Sequence, residues 1–301
     1  MDGGGQVIGH GATRRIGDLE VSAIGLGAMT LTQVPGYDAE RGVRTVHAAL
    51  DAGVTLIDTA DVYGPAGGDY GVNELAVAEA LRRYPGSTER VVVATKGGHV
   101  RFFDTDTWSI DGRPEYLRRA CEASLRRLGL ETLPLYLHHR PDPKIPYAES
   151  MGGLKELYDK GLVQRVGISN VSVEQVRLAH EILGPALVAV ENEYSPRARD
   201  GEPVIELCED LGLAFLSWGP LGGMRGAKDL GSAFGAFGDV AAARGVSPQR
   251  IALAWQMHRS PAIIPIPGAS RPESILDSLA ATDLDLTPEE LQRLDRTPRS
   301  A

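Results

Sequence analysis

The chain has 301 residues, 43% hydrophobic and 24% charged, enough to bury the core of one large barrel or of two smaller domains. Its formal net charge of −9 argues against a nucleic-acid partner held through phosphates, since that grip comes from Lys and Arg. Two cysteines, Cys121 and Cys208, exclude a disulfide framework, and no apolar run approaches the roughly 18–20 residues that span a bilayer.

Residues 1–12 lack the apolar core of a secretion signal and read as a flexible tail, so a cytoplasmic protein is expected. Residues 13–301 carry no linker or composition shift and read as one domain. Segment 7–19 predicts a β-hairpin turning at Gly17 and Asp18, placed to plug a barrel floor. Eight short apolar runs follow: VSAIGLG (21–27), VTLID (54–58), VVVAT (91–95), LPLYLH (133–138), VQRVGIS (163–169), LVAVE (187–191), LAFLS (213–217) and AIIPI (262–266). Helical patterns separate them. Segment 41–53 is apolar at Val43, Val46, Ala49 and Leu50 and stops at Gly53; 73–84 repeats the pattern; 114–129 opens with Pro114 and closes at Gly129. A weaker helix at 228–244 and a second at 247–260, capped by Ser247, enlarge the seventh connection.

Continuous apolar runs suit parallel strands buried on both faces. Eight of them alternating with helices predict an α/β fold, a (β/α)8 TIM barrel with an N-terminal β-hairpin and extra helices. A doubly wound domain would need a glycine fingerprint after the first strand. GLGAMT (25–30) lacks the third glycine and no helix is expected directly after it.

Active sites of such barrels sit at the carboxyl ends of the strands. Those ends present Asp58, Lys96 and His139, with Tyr63 in the loop after Asp58. A buried lysine beside a phenol should lower the phenol's pKa, and a carboxylate beside that lysine keeps it charged. A phenol so tuned can protonate a carbonyl oxygen as hydride reaches carbon, while histidine orients the same oxygen.

The motifs GLGAM (25–29), DTADVYG (58–64), TKGG (95–98), SLRRLG (124–129), LHHRPDP (137–143), GISN (167–170), ENEYS (191–195), WGPLGG (218–223), ALAW (252–255) and IPGASRPESI (266–275) run in order along almost the whole chain. In this the sequence resembles the aldo-keto reductase superfamily. The resemblance implies Tyr63 as general acid/base, Lys96 and Asp58 as its tuning partners, and His139 as the substrate-orienting residue. His138 is then packing, and a two-histidine metal site lacks a third ligand of suitable spacing. It implies NADP(H) lying across the barrel mouth without a Rossmann domain. Gly27, Ala28 and Met29 would border it, Ser169 and Asn170 would bond its carboxamide, and Trp218 would stack on the nicotinamide. Pro220, Leu221, Gly222, Gly223 and Met224 would follow the pyrophosphate, and Gly268, Ser270 and Arg271 would hold the 2′-phosphate.

Three departures from the family pattern stand out. Glu191 replaces the glutamine that contacts the carboxamide; an ionised carboxylate there would favour the positively charged oxidised ring. Asp277 and Ser278 replace the usual Glu and Asn at the adenine end, so weaker contacts are expected. The short stretch 220–246 leaves only a brief belt over the pyrophosphate. Around the pocket, Tyr37, Arg101, Phe102, Phe103, Trp108, Arg197, Arg199 and Arg225 could seat a sugar, an anionic aldehyde or an aryl ketone, and no long carboxyl-terminal loop is expected to roof them. The leading expectation is reversible reduction of a small-molecule aldehyde, ketone or sugar-like carbonyl to its alcohol, with NADP(H), no metal and no nucleic-acid or membrane partner. Two alternatives remain: a cofactor-binding regulatory subunit with little turnover, and a barrel lyase or hydrolase using a metal or Asp61 as second carboxylate.

Overall fold

The computed structural model describes residues 12–298; the expected tail and the first part of the expected hairpin segment lie mostly outside this range. Strands β1 (Thr13–Ile16) and β2 (Leu19–Ser22) pair antiparallel across a turn at Gly17 and Asp18, with Ile16 opposite Leu19. β3 (Leu26–Gly27), β4 (Leu56–Asp58) and β5 (Val92–Gly97) begin the barrel. β6 (His99–Phe102) and β7 (Thr107–Ile110) form a second hairpin, which the sequence reading missed. β8 (Leu135–His138), β9 (Val166–Ser169), β10 (Leu187–Glu193), β11 (Ala214–Trp218) and β12 (Ile263–Pro265) complete the ring.

The eight barrel strands are parallel and neighbour one another in chain order from β3 to β12. The ring closes between its ends through a bridge from Gly27 to Gly268, with Gly25 N–H donating to Pro265 O at 2.9 Å and Gly27 N–H to Pro267 O at 3.0 Å. A Cβ at Gly27 would lie 2.6 Å from Ile266 O, so only glycine lets the two ends approach this closely.

Two cores result. Leu56, Ala94, Leu135, Leu137, Ala214, Leu216 and Ile264 fill the barrel interior, and Ile16 and Val21 of the first hairpin pack on them as the floor. Outward residues such as Ile57, Val93, Tyr136 and Val190 meet the helices. Arg165 pairs with Asp18 at 2.5 Å, tying the floor's turn to the barrel.

Helices Ala39–Asp51, Val72–Arg83, Pro114–Leu128, Tyr147–Asp159, Val173–Leu183 and Glu202–Leu211 cover the strands. Several begin on side-chain caps: Asp38 accepts from Arg41 N–H, and Ser172 forms a reciprocal box with Gln175. After β11 come Gly223–Ala233, Gly235–Arg244 and Pro248–Arg259, the last capped by Ser247 as expected. Pro272–Leu279 follows β12, and Pro288–Asp295 ends the helical set. Among the described residues no helix is long and apolar enough to cross a membrane.

Three expectations are corrected. The run 21–27 is not one strand: Val21 belongs to the floor hairpin and only Leu26–Gly27 enters the barrel. A single helical turn, Met29–Thr32, does follow GLGAM, although it is too short to resemble a dinucleotide-binding helix. The weak helix at 228–244 is two helices, broken at Phe234, whose ring turns inward against Phe237.

Candidate active site

Lys96 lies inside the β5 strand with no solvent exposure, an arrangement that a lone ammonium would not tolerate. Its Nζ donates to both oxygens of Asp58 at 2.6 Å and to Thr59 O at 3.1 Å, and stands 3.3 Å from Glu191 Oε1. The same Nζ is 5.3 Å from the centre of the Tyr63 ring. The His139 ring meets Tyr63 edge-on at 5.7 Å and 85°. The four side chains expected at the strand ends therefore form one cluster, joined by Glu191. His138 points elsewhere, buried beside Tyr147 with a ring separation of 5.9 Å.

The loop bearing Tyr63 is held by buried polar bonds rather than by apolar packing alone. Asn73 donates to Ala28 O at 2.8 Å and Thr32 Oγ1 at 2.7 Å, and accepts from Thr59 Oγ1 at 2.6 Å. Asn73 N–H reaches Tyr63 O at 3.1 Å, and Gly71 N–H reaches Asp61 O at 2.6 Å. Beneath them Glu74, fully buried, accepts from Thr95 at 2.6 Å and Arg127 at 2.5 Å. Burial, and then the neighbouring Glu74, raise Asp61 well above the usual carboxylate range, which favours its neutral form over an ionised second carboxylate.

The electrostatics correct one expectation. Burial pushes the Tyr63 phenol up, against the pull of Lys96, and the negative charges of Asp58 and Glu191 add to the rise. Lys96 does pull it down, but the cost of desolvating a buried phenolate outweighs that pull. Burial works against the Lys96 ammonium, yet Asp58, Glu191 and Tyr63 together raise its pKa. Burial raises Asp58 despite Lys96. Glu191, desolvated and beside Asp58, is pushed up to about 8. His139 is driven well below its ordinary value by burial and then by Lys96, so its imidazole is neutral.

Residues expected to meet a cofactor fall along one strip of the mouth. Ser169 Oγ donates to Glu191 O at 2.7 Å, while Asn170, at φ +59°, donates to His139 O and to Ser169 Oγ at 3.0 Å each. Trp218 is half-buried and its Nε1 is buried with no acceptor among the described residues. Gly222 and Gly223 adopt φ of +86° and +74°, Gly222 N–H closes a turn onto Gly219 O at 2.8 Å, and Gly223 opens the helix Gly223–Ala233. Pro220 O is pinned by Gln256 at 2.7 Å, and Leu221 sits half-buried beside it. Ala28 N–H donates to Asp58 O at 2.8 Å and Gly27 pairs with Asp58 across the sheet, which sets this backbone beside the Lys96 cluster, and Met29 opens the single turn that follows. Gly268 and Arg271 are exposed, Ser270 lies between them, and Arg271 Nε donates to Ser274 at 3.1 Å. The side chains of Met224 and Arg225 lie outside the described structure.

Other expected contacts are already engaged. Asp277 is taken up by Ser247 at 2.6 Å and Arg250 at 2.7 Å, and Ser278 is buried with its hydroxyl donating to Ser274 O at 3.0 Å. Asp277 ties its helix to the neighbouring Pro248–Arg259, and Ser278 spends its hydroxyl within its own helix, instead of offering free groups to an adenine. Arg101 is buried between Phe103 and Trp108, 4.8 Å from each ring, and bonds Asp106 and Gly64 O. Arg199 is buried against Glu202 and Asp295 O, and Arg197 covers the Phe234 ring at 5.4 Å. The rim is therefore less basic than expected. One residue was missed: His99, half-buried, lies 5.0 Å from the His139 ring and 4.7 Å from Trp108, lowered to about 4 by desolvation and then Arg140. Its place three residues after Lys96 was the available signal.

A family model described as the Aldo/keto reductase family matches residues 23–298. An uncharacterized oxidoreductase of Schizosaccharomyces pombe is 34% identical over 292 residues, covering 96% of this chain and 90% of that protein. The structure of a glycerol dehydrogenase from Gluconobacter oxydans superposes with TM-score 0.81 at 30% identity, covering 94% of each chain. An aldo/keto reductase from Klebsiella pneumoniae, solved in complex with NADP and acetate, gives 0.78 at 30% identity and the same coverage of both chains.

Proposed function

The chain belongs to the aldo/keto reductase family, and from that premise we propose that it is an NADP-dependent oxidoreductase that reduces a small carbonyl compound with Tyr63 as general acid. The observation that carries this is the buried Lys96 ammonium, fixed by Asp58 on one side and set 5.3 Å from the Tyr63 ring on the other. Bound NADPH supplies the hydride. The chain does the rest. Tyr63 keeps its proton at neutral pH and gives it to the carbonyl oxygen; Lys96 stabilises the phenolate left behind. Neutral His139 hydrogen-bonds the same oxygen and fixes its direction. In the reverse direction the phenolate takes the proton of an alcohol.

The strip at the mouth fits NADP(H), the cofactor found in the Klebsiella structures. Ser169, Asn170 and Trp218 would hold the nicotinamide end, with the buried Trp218 Nε1 in need of a partner. Gly223, first residue of its helix, would present its backbone N–H to the pyrophosphate, while Gly222 N–H holds the preceding turn through Gly219 O, and Ser270 with Arg271 would take the 2′-phosphate at the start of Pro272–Leu279. Because Arg101 and Arg199 are consumed internally, the rim of His99, Phe102, Phe103 and Trp108 favours an uncharged aryl or polyhydroxy carbonyl over an anionic one. Likeness to a glycerol dehydrogenase adds short polyols to the compounds worth testing.

The test is NADPH oxidation, followed by absorbance, with aldehydes, ketones and hydroxyketones. Tyr63→Phe should lower turnover by about 10²–10⁴-fold while NADPH still quenches tryptophan fluorescence. Unchanged turnover in Tyr63→Phe refutes the acid assignment; NADPH binding without turnover on any substrate would replace it with the regulatory-subunit reading.

A further inference from the structure

Glu191 is the ionisable member of the cluster to which the proposed chemistry gives no part. β10 sets it level with Ser169 on β9 and Leu216 on β11, so neither adjoining strand brings a charge to it. The charged and titratable groups that face it come from across the barrel: Asp58 from β4, Lys96 from β5 and Tyr63 from the loop after β4. Asp58 takes the ammonium with both oxygens at 2.6 Å, whereas Glu191 has only the longer contact at 3.3 Å through Oε1. Glu191 is 2% exposed and its Oε2 meets no hydrogen-bond donor among the described residues. An ionised carboxylate buried with one oxygen bare is strongly disfavoured. A carboxylic acid resolves the conflict, since it carries its own donor and Asp58 is the acceptor beside it. Two carboxyl groups on one ammonium in a dry site hold one proton between them.

We infer that Glu191 is a proton-holding positioning residue: as the acid it donates to Asp58 and keeps the Lys96 cluster neutral, and once ionised it tilts the site toward the oxidised, positively charged cofactor. The second half rests on the reading of the chain as an NADP-dependent reductase. Protonated, Glu191 offers one donor and one acceptor, as the family's glutamine does, which revises the expectation of an ionised group. Burial beside Asp58 pushes the carboxyl up to about 8, so the change falls just above neutrality.

Infrared difference spectra of the unliganded protein, taken across about pH 6 to 10, test the first half. Asp61, also buried and raised, contributes its carbonyl band alike in wild type and Glu191→Gln, so the Glu191 band is the one present in the wild type, lost as pH rises, and missing from Glu191→Gln. Spectra that are the same in the two proteins overturn the assignment. Dissociation constants for NADP⁺ and NADPH, from tryptophan quenching at each pH, test the second half; their ratio cancels groups that titrate alike in both complexes. In the wild type the ratio should move toward NADP⁺ by about tenfold or more with rising pH, as expected for one added charge within several ångströms. In Glu191→Gln it should stay flat, and an equal movement in both proteins overturns the proposal. If the wild type binds neither nucleotide, the reductase reading fails, and the infrared result still decides where the proton resides.

Discussion

Replacing Lys96 by methionine removes the charge on which Asp58 is built. The two contacts at 2.6 Å sit where Lys96 has no solvent exposure and Asp58 only 3%. At an effective dielectric of about 20, charges about 3 Å apart attract by roughly 5 kcal/mol, and the desolvation of both ions opposes that gain. Removing one partner leaves the other uncompensated, so Lys96→Met should cost about 3–5 kcal/mol. Asp58→Asn should cost less, because Glu191 at 3.3 Å can ionise and take over the ammonium. The double variant should be far better than the sum, with a coupling of about 2 kcal/mol or more. Urea unfolding at neutral pH, followed by fluorescence and circular dichroism with coincident transitions, gives these values. The sign with pH follows. Without Lys96, Asp58 in the fold has its pKa raised further above the unfolded value, so the native state binds more protons. The variant's deficit should therefore shrink as pH falls toward about 4 and grow as it rises. A coupling below about 0.5 kcal/mol, or a deficit independent of pH, would refute the reasoning.

Two glycines should respond oppositely to alanine. Gly27→Ala drives a methyl to 2.6 Å from a backbone carbonyl at the barrel seam and should cost about 1–3 kcal/mol, whereas Gly42→Ala, in Ala39–Asp51 with no atom within 4 Å, should stabilise by about 0.5–1 kcal/mol. Thermal unfolding of both variants checks the pair. His138 is fully buried and lowered to about 4 by desolvation, so the unfolded chain takes up a proton below about pH 6.5 that the native state refuses. Stability should fall between those values by up to about 3 kcal/mol, and His138→Gln should flatten that part of the pH dependence of urea unfolding.

The barrel was legible because its strands are continuously apolar and its helices begin and end on local signals; Pro114, Ser247 and Gly129 act within a few residues of themselves. The Asp58, Tyr63, Lys96 and His139 cluster was legible because barrel topology brings strand ends together whatever their separation in sequence. The charge balance was not. Whether the pull of Lys96 on Tyr63 prevails depends first on how deeply the phenol is buried and then on the carboxylates that face it, and Glu191 comes from a strand far along the chain. The rim arginines were misjudged for the same reason. Arg101 has an aspartate five residues away, but its burial between Phe103 and Trp108 depends on the β6–β7 hairpin, where two short polar-rich runs gave little periodicity. Asp277, read as an adenine contact from its place in a motif, is bound by Arg250 of another helix.

The seam between Gly27 and Gly268 bears on how this chain leaves the ribosome. The first strand of the ring emerges well before the segment that must lie against it, with the other barrel strands translated in between. Throughout that interval both borders of the growing sheet offer unpaired amides and carbonyls to any neighbouring nascent chain. The floor hairpin, translated before the barrel strands and paired across its tight turn, gives the waiting strands an apolar surface on which to gather. Completion is then a single late docking of β12, and a polypeptide arrested before residue 263 would be left as an open, adhesive half-ring.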